Sequence, residues 1–251
     1  MLPKPNEGGT YFEPFLGGGA IFFALRPEKA VLSDINCELI ETFRSVRDEA
    51  ARVIRSLAHL PYSEGDYYRI RSKLPRESWR RAARFIYLNK TAFNGLFRVN
   101  LEGRFNVPFG DHGTSLLVCD RTQIVAASTA LRQVRLLHAD FEKAVASARK
   151  GDLVYFDPPY TTAHVNNGFI EYNARVFSWK DQTRLAKVAK TLVNRNVMVA
   201  ISNANHRSIR ALYRDGPFEL HRIDRWSTIA GNASKRFPTS EILITSDKGI
   251  P

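Results

Sequence analysis

The spacing of apolar residues changes along this chain, and the changes divide it into three stretches. At the start, "GGTYFEPF" reads as a strand, "LGGGA" as a turn and "IFFAL" as the opening of a helix. The apolar run "KAVLSD" predicts a second strand ending at Asp34, and it feeds "INCELIETFRSV", where Leu39, Ile40, Phe43 and Val46 recur at helical spacing. From about residue 47 to 118 the pattern turns basic and helical, with Arg80, Arg81 and Arg84 opposite or beside an apolar stripe in "SWRRAARFIYL", and then hairpin-like. After residue 130 strands and helices alternate again: "VRLLHADF", a helical "EKAVASARK", the strand "DLVYF", a polar loop from Thr161 to Phe177, a helix, and "VMVAIS". Ser178 followed by Asp181 resembles a capping box for that helix, and Leu185, Val188, Ala189 and Leu192 supply its buried stripe. A basic helix, "HRSIRALYR", and a strand, "EILITS", close the sequence. Such an order predicts an α/β sheet, residues 1–50 and 119–251, interrupted by a mostly helical insert over 51–118. Within the insert, a hairpin loop of Glu102, Gly103 and Arg104 would put Val99, Leu101, Phe105 and Val107 on one face. Arg98, Asn100 and Asn106 would then share the other.

Composition adds little until charge is considered. The 251 residues are 44% hydrophobic and 25% charged, ordinary for a soluble globular protein. No apolar run is long enough to span a bilayer and no charged-then-apolar leader stands at Met1, so a cytoplasmic protein without a membrane partner is expected. Cys37 and Cys119 make no ligand spacing and the six histidines are scattered, so no metal is expected. The net charge of +12, however, is concentrated: residues 44 to 104 hold 14 basic and 6 acidic side chains, +8 in about a quarter of the chain. There, arginines mix with aromatics in "YYRIRSKLPRESWRRAARFIYLNK", a pairing suited to phosphates, guanine edges and stacked bases. A solvated basic face is the bland alternative, and nucleic-acid binding is the expectation.

The glycine turn in "EPFLGGGA" lies between a strand and a helix, where backbone amides can approach a ligand closely. Gly17 and Gly19 fit the first two glycines of a dinucleotide fingerprint, but Phe22 occupies the third position, and no Gly-Lys-Ser/Thr follows for a phosphate loop. What remains is Phe15-x-Gly17-x-Gly19 followed by Asp34 at the end of the next strand, placed to accept hydrogen bonds from ribose hydroxyls. A structural turn with a helix-capping Asp is the alternative. Asp140 in "HADF" is suggestive in the same way, and equally suited to capping the helix after it.

The stretch "GDLVYFDPPYTT" ends an apolar strand on an acid, two prolines and an aromatic. An exocyclic amine of adenine or cytosine is a poor nucleophile because its lone pair is delocalised into the ring. Two acceptors directed at its two N–H bonds counter this, and Asp157 and the carbonyl of Pro158 can supply them. Both residues precede a proline and are pushed out of the helical region, while each proline fixes its own φ, so the acceptors are oriented in advance. Tyr160 can stack on a base swung out of a duplex. Alone, Pro-Pro could simply end a strand.

In their order, "EPFLGGGA", "SDIN", "NGLFRVNLEGRFNVPFG", "DPPY" and "ISN" resemble the S-adenosylmethionine-dependent N6-adenine DNA methyltransferases related to the bacterial enzyme that methylates GATC; the likeness runs from about Leu2 to Ile244. An Asn at position 157 would have pointed to protein-glutamine methyltransferases instead. The resemblance implies a Rossmann-like methyltransferase sheet with helices on both faces, and a target-recognition domain over 51–118 with a β-hairpin. It implies methyl transfer from S-adenosylmethionine to adenine N6 in double-stranded DNA at GATC, with base flipping, no metal, and a monomeric enzyme. Asp157, Pro158, Pro159 and Tyr160 become the catalytic set, and Phe15, Gly17, Gly19, Asp34, Asp140 and Phe141 the cofactor set. For DNA, Phe93 resembles a wedge filling the space left by the flipped adenine, Asn94 a backbone contact, Leu96 and Pro108 apolar base contacts, and Arg98 a guanine reader beside Asn100. Phe93 and Leu96 would otherwise be core of the insert. One departure stands out: "MLPKPNEGGTYFEPF" aligns with the residues directly after the family's Trp-Ala-Gly-Gly-Lys-like segment, which lies over the cofactor. Either the start codon lies further upstream or the chain is truncated. The alternatives are an RNA N6-adenine methyltransferase, against which "NGLFRVN" argues, and a non-catalytic DNA-binding remnant.

Overall fold

A computed structural model describes residues 4–100, 102–111, 116–161, 177–226 and 238–246. In chain order they form β1 (Tyr11–Glu13), α1 (Ala20–Leu25), β2 (Ala30–Asp34), α2 (Cys37–Ala58), α3 (Glu64–Ser72), α4 (Ser78–Thr91), α5 (Arg121–Ala130) and β3 (Val134–His138). There follow α6 (Phe141–Ala144), β4 (Leu153–Phe156), α7 (Trp179–Asn194), β5 (Met198–Ala204), α8 (Arg207–Arg214), β6 (Phe218–Trp226) and β7 (Pro238–Ser246). Compactness divides the chain into one unit of Met1–Ile35 with Leu137–Pro251 and a second of Asn36–Leu136. The second unit takes in α2, which packs along α4 and α5.

The sheet runs β3-β2-β1-β4-β5-β7-β6. β1 pairs in parallel with β2 and β4, and β4 with β5, whereas β7 runs antiparallel to both β5 and β6. The order reverses at β1 and β4, so the carboxyl ends of these two strands flank the switch point where open α/β sheets bind ligands. All four residues of β4 are buried, as a strand covered on both faces requires. Phe12, Phe156, Val199 and Ile201 share an apolar cluster with Leu185, Ala189 and Leu192 of α7. The capping box of α7 forms: Ser178 Oγ accepts from the Asp181 amide and Asp181 Oδ2 accepts from the Ser178 amide. Val188 only packs against the cluster's edge. Of the polar loop, only Thr161 and Phe177 are described.

One expectation for this unit needs correction, and one strand was not foreseen. The helix over "EKAVASARK" stops at Ala144, because the carbonyls of Ala146 and Ala148 accept from the Arg195 guanidinium and the Arg149 amide donates to Asp152. β6 has no counterpart in the sequence pattern: its residues His221, Arg222, Ile223 and Asp224 are all exposed, so burial leaves no period to read there.

In the second unit, buried Tyr67, Tyr87, Leu88, Phe105 and Val107 build a core among α3, α4 and the hairpin. Tyr67 Oη and Arg71 Nη1 both donate to the Val107 carbonyl, at 2.8 and 2.9 Å. The hairpin is shifted by one residue from expectation. Val99 and Phe105 form the antiparallel bridge, Asn100 and Arg104 close the loop, and Gly103 donates to the Asn100 carbonyl at φ +74°. A left-handed glycine ending a tight loop is standard hairpin geometry. Leu101 lies outside the described residues. Arg84 is not on the basic surface: only 8% exposed, it donates to the carbonyls of Ile70 and Arg71 and to Glu38. No helix among the described residues is long and apolar enough to cross a membrane.

Candidate active site

β1 delivers Glu13 and the chain then turns through Pro14 to Gly19 into α1. Gly17 and Gly19 take left-handed φ values of +47° and +70°, conformations costly for other residues. The Gly17 amide donates to Asp34 Oδ2 at 3.1 Å, and the Leu16 amide to the Ser33 carbonyl at 2.9 Å, so the end of β2 holds the turn from beside it. A Cβ added at Gly17 or Gly18 would meet nothing within 4 Å, whereas one at Gly19 would press on the Phe23 ring. The turn therefore faces open space on its outer side and packs on its inner side.

That space is a cleft of about 680 Å³, within the ordinary range of small-molecule sites. All ten residues expected to hold cofactor or perform catalysis line it: Phe15, Gly17, Gly19, Asp34, Asp140 and Phe141 on one side of the expectation, Asp157 to Tyr160 on the other. Phe15 stacks on Phe141 with ring centres 5.4 Å apart, and Phe177 meets Phe15 edge-on at 5.4 Å, giving an aromatic wall. Beyond β4, Asp157 is exposed, Pro158 buried and Tyr160 half-buried. Neither proline has an N–H, so the turn is held from outside: Gln182 Nε2 lies 3.5 Å from the Pro159 carbonyl, and Thr161 Oγ1 donates to the Phe177 carbonyl at 2.7 Å. Gln182 is fully buried and accepts from the equally buried Asn203 of "ISN" at 3.0 Å.

Several cleft residues escape a reading of the sequence. Glu13 is only 3% exposed, and its Oε2 accepts from Tyr11 Oη at 2.8 Å. Burial pushes its carboxyl up to about 7, and the charge of Asp157 adds to the rise, against hydrogen bonds from Tyr11 and the Phe22 backbone. Burial, with Asp157, likewise raises Tyr155, which shares a 2.8 Å hydrogen bond with Ser202. Arg184 of α7 reaches Asp140 and lies over Phe141. An acid ending an otherwise apolar strand could have drawn attention to Glu13; nothing local marks Arg184, 44 residues from its partner.

The residues expected at DNA all lie in the second unit. A short 3-10 turn, Phe93–Gly95, presents Phe93 51% exposed and Leu96 36% exposed, so neither is core. Asn94 is held at φ +53°, and the Phe93 amide donates to the Pro108 carbonyl. Arg98 is exposed and already engaged: its Nε donates to Asn106 Oδ1 at 2.9 Å. Asn100 turns inward on its own loop, its Oδ1 accepting from the amides of Glu102 and Arg104.

A glycine turn and an acid-bearing proline turn open into one cleft beyond the carboxyl ends of the parallel strands β1 and β4 of an α/β sheet. The family model of the D12 class N6 adenine-specific DNA methyltransferases matches residues 1–229, and the chain belongs to that family. It is similar to a type II methyltransferase, M1.LlaDCHI, of Lactococcus lactis subsp. cremoris, 37% identical across 96% of this chain and 88% of the relative. A type II methyltransferase of Methanocaldococcus jannaschii, M.MjaIII, is 34% identical over 81% of this chain and 77% of its own length. A DNA adenine methylase of Haemophilus influenzae is 30% identical over 95% and 85%.

Proposed function

We propose that this adenine-specific DNA methyltransferase uses S-adenosylmethionine to methylate adenine N6 within GATC in double-stranded DNA, with the target base swung out of the duplex. The observation that supports this most is that the Gly17–Gly19 turn and the Asp157–Tyr160 turn share one cleft at the carboxyl ends of paired strands β1 and β4. The residues present fit the cofactor. The open side of the glycine turn leaves room for close approach, the carboxylates of Asp34 and Asp140 suit hydroxyl and amine donors, and the Phe15–Phe141 wall suits a nucleobase. When bound, the cofactor supplies a methyl group made electrophilic by its sulfonium.

The protein's part is to make N6 a nucleophile and take its proton. Asp157 and the Pro158 carbonyl accept from the two N–H bonds of the amine, which draws its lone pair out of conjugation with the ring. With the cofactor bound, Asp157, whose carboxylate is open to solvent, would take the N–H proton that the amine gives up on methylation. Tyr160 stacks on the base and shields the reacting centre. In the second unit, Phe93 fills the space vacated in the duplex, Leu96 and Pro108 make apolar base contacts, Asn94 meets the backbone, and Arg98, beside Asn100, reads a guanine edge. Transfer of tritiated methyl from S-adenosylmethionine to a GATC duplex, lost in Asp157→Ala, is the expected result. Equal transfer to a duplex lacking GATC would remove the sequence assignment. Preference for RNA would remove the duplex-DNA substrate, and transfer surviving in Asp157→Ala the catalytic one.

A further inference from the structure

Arg184 is the most heavily engaged cation in the cleft. Its Nη1 donates to Asp140 Oδ1 at 3.0 Å and its Nη2 to Asp140 Oδ2 at 2.7 Å, a two-pronged pair; it also reaches Glu142 at 3.3 Å and Asp181 at 3.2 Å. Its guanidinium carbon sits 4.2 Å from the centre of the Phe141 ring. At 38% and 31% side-chain exposure, Arg184 and Asp140 gain little stability from a simple ion pair. The fixed fork does something else: it sets orientation. Asp140 also caps α6, its Oδ1 accepting from the Glu142 amide at 3.0 Å. A carboxylate offers about four lone-pair directions. Three are taken, two on Oδ1 and one on Oδ2, which leaves one acceptor direction on Oδ2. The cap alone would leave Oδ2 unfixed, and Phe141, the next residue, would lose the plane resting over its ring.

We propose that Arg184 is a positioning residue for the cofactor: it fixes the last acceptor of Asp140 and the ring of Phe141 so that both meet the nucleoside half of S-adenosylmethionine. This rests on the cofactor reading above. The test is calorimetric titration of the full chain with S-adenosylhomocysteine and separately with adenosine, in wild type, Arg184→Lys, Asp140→Asn and the double variant. Lysine keeps the charge and loses the fork, so binding of both ligands weakens about tenfold, the scale of one charged hydrogen bond. KM for the cofactor rises by the same factor, and kcat at saturation stays within twofold. In the Asp140→Asn background, Arg184→Lys then weakens binding by clearly less than tenfold, because the part of its effect that runs through Asp140 is already gone and only its contact with the Phe141 ring remains. A full tenfold loss in that background overturns the proposal, as does unchanged binding in Arg184→Lys or a fall in kcat at constant KM. Wild-type protein that binds neither ligand removes the cofactor reading itself, and the proposal with it.

Discussion

Replacing Glu13 by Gln should make the protein more stable at neutral pH, although it removes a charged cleft residue. Glu13 is almost fully buried at the end of β1, and its carboxyl is pushed from the ordinary 4.5 up to about 7, first by burial and further by the charge of Asp157. A raised carboxyl means that the folded protein holds a proton the unfolded chain has already released. The stability this represents is fully present below about pH 4.5 and is lost as pH rises towards 7, since the unfolded state binds fewer protons through that window. At about 1.4 kcal/mol per pH unit, the shift corresponds to about 3 kcal/mol. Gln keeps nearly the same shape and its Oε1 can still accept from Tyr11 Oη, but it has no proton to lose. The difference in unfolding free energy between Glu13→Gln and wild type should therefore rise by about 3 kcal/mol from pH 4.5 to pH 7.5 and stay level above that. Urea unfolding of both proteins at half-unit pH steps, without ligand, measures it. Two curves that stay parallel across the range would show that Glu13 ionises in the folded protein as easily as in water, and would refute the reasoning.

Two further changes probe other parts of the molecule. Asp152→Ala should destabilise by about 2 to 4 kcal/mol in chemical unfolding, because the buried carboxylate accepts from the Thr10 and Arg149 amides, both at 2.8 Å, and alanine leaves both donors without their partner; a loss under about 0.5 kcal/mol would mean water replaces it. Arg98→Ala should cost about 1 to 3 kcal/mol of discrimination between GATC and near-cognate duplexes in competitive methylation. An equal loss on all sequences would make Arg98 a phosphate contact.

What could be read from the sequence was what the chain enforces locally. The Asp157–Tyr160 turn was legible because two prolines restrict their own φ and the residues before them, whatever surrounds them. The capping box at Ser178 and Asp181 was legible because both partners lie within one helical turn. The hairpin came out one residue off because Leu101-Glu102-Gly103 and Glu102-Gly103-Arg104 are equally good three-residue loops until Val99 is seen to pair with Phe105. By contrast, the contacts that hold Asp34, Asp140 and Gln182 come from partners 17 to 44 residues away: the Gly17 amide, the Arg184 fork and the Asn203 amide. No local period or spacing carries that information, and only the sheet's topology supplies it.

The same distinction limits what the charge count can say about DNA. The excess in residues 44–104 points to a binding face, yet its arginines have two different occupations. Arg84 is interior and serves three partners, and Arg81 ties the Arg76 carbonyl and Glu41 together. Arg52 and Arg69 pair with acids three residues away. Such exposed pairs are worth little to stability and open readily to a phosphate, whereas Arg84 cannot leave without stranding two carbonyls and Glu38. Net charge governs approach to DNA and is the same for either occupation, but contacts in the complex must come from the exposed group. The salt dependence of binding is accordingly the quantity that separates them. Neutralising Arg69 should flatten the slope by about one ion if it meets a phosphate. Neutralising Arg84 should leave the slope unchanged and lower the unfolding midpoint instead.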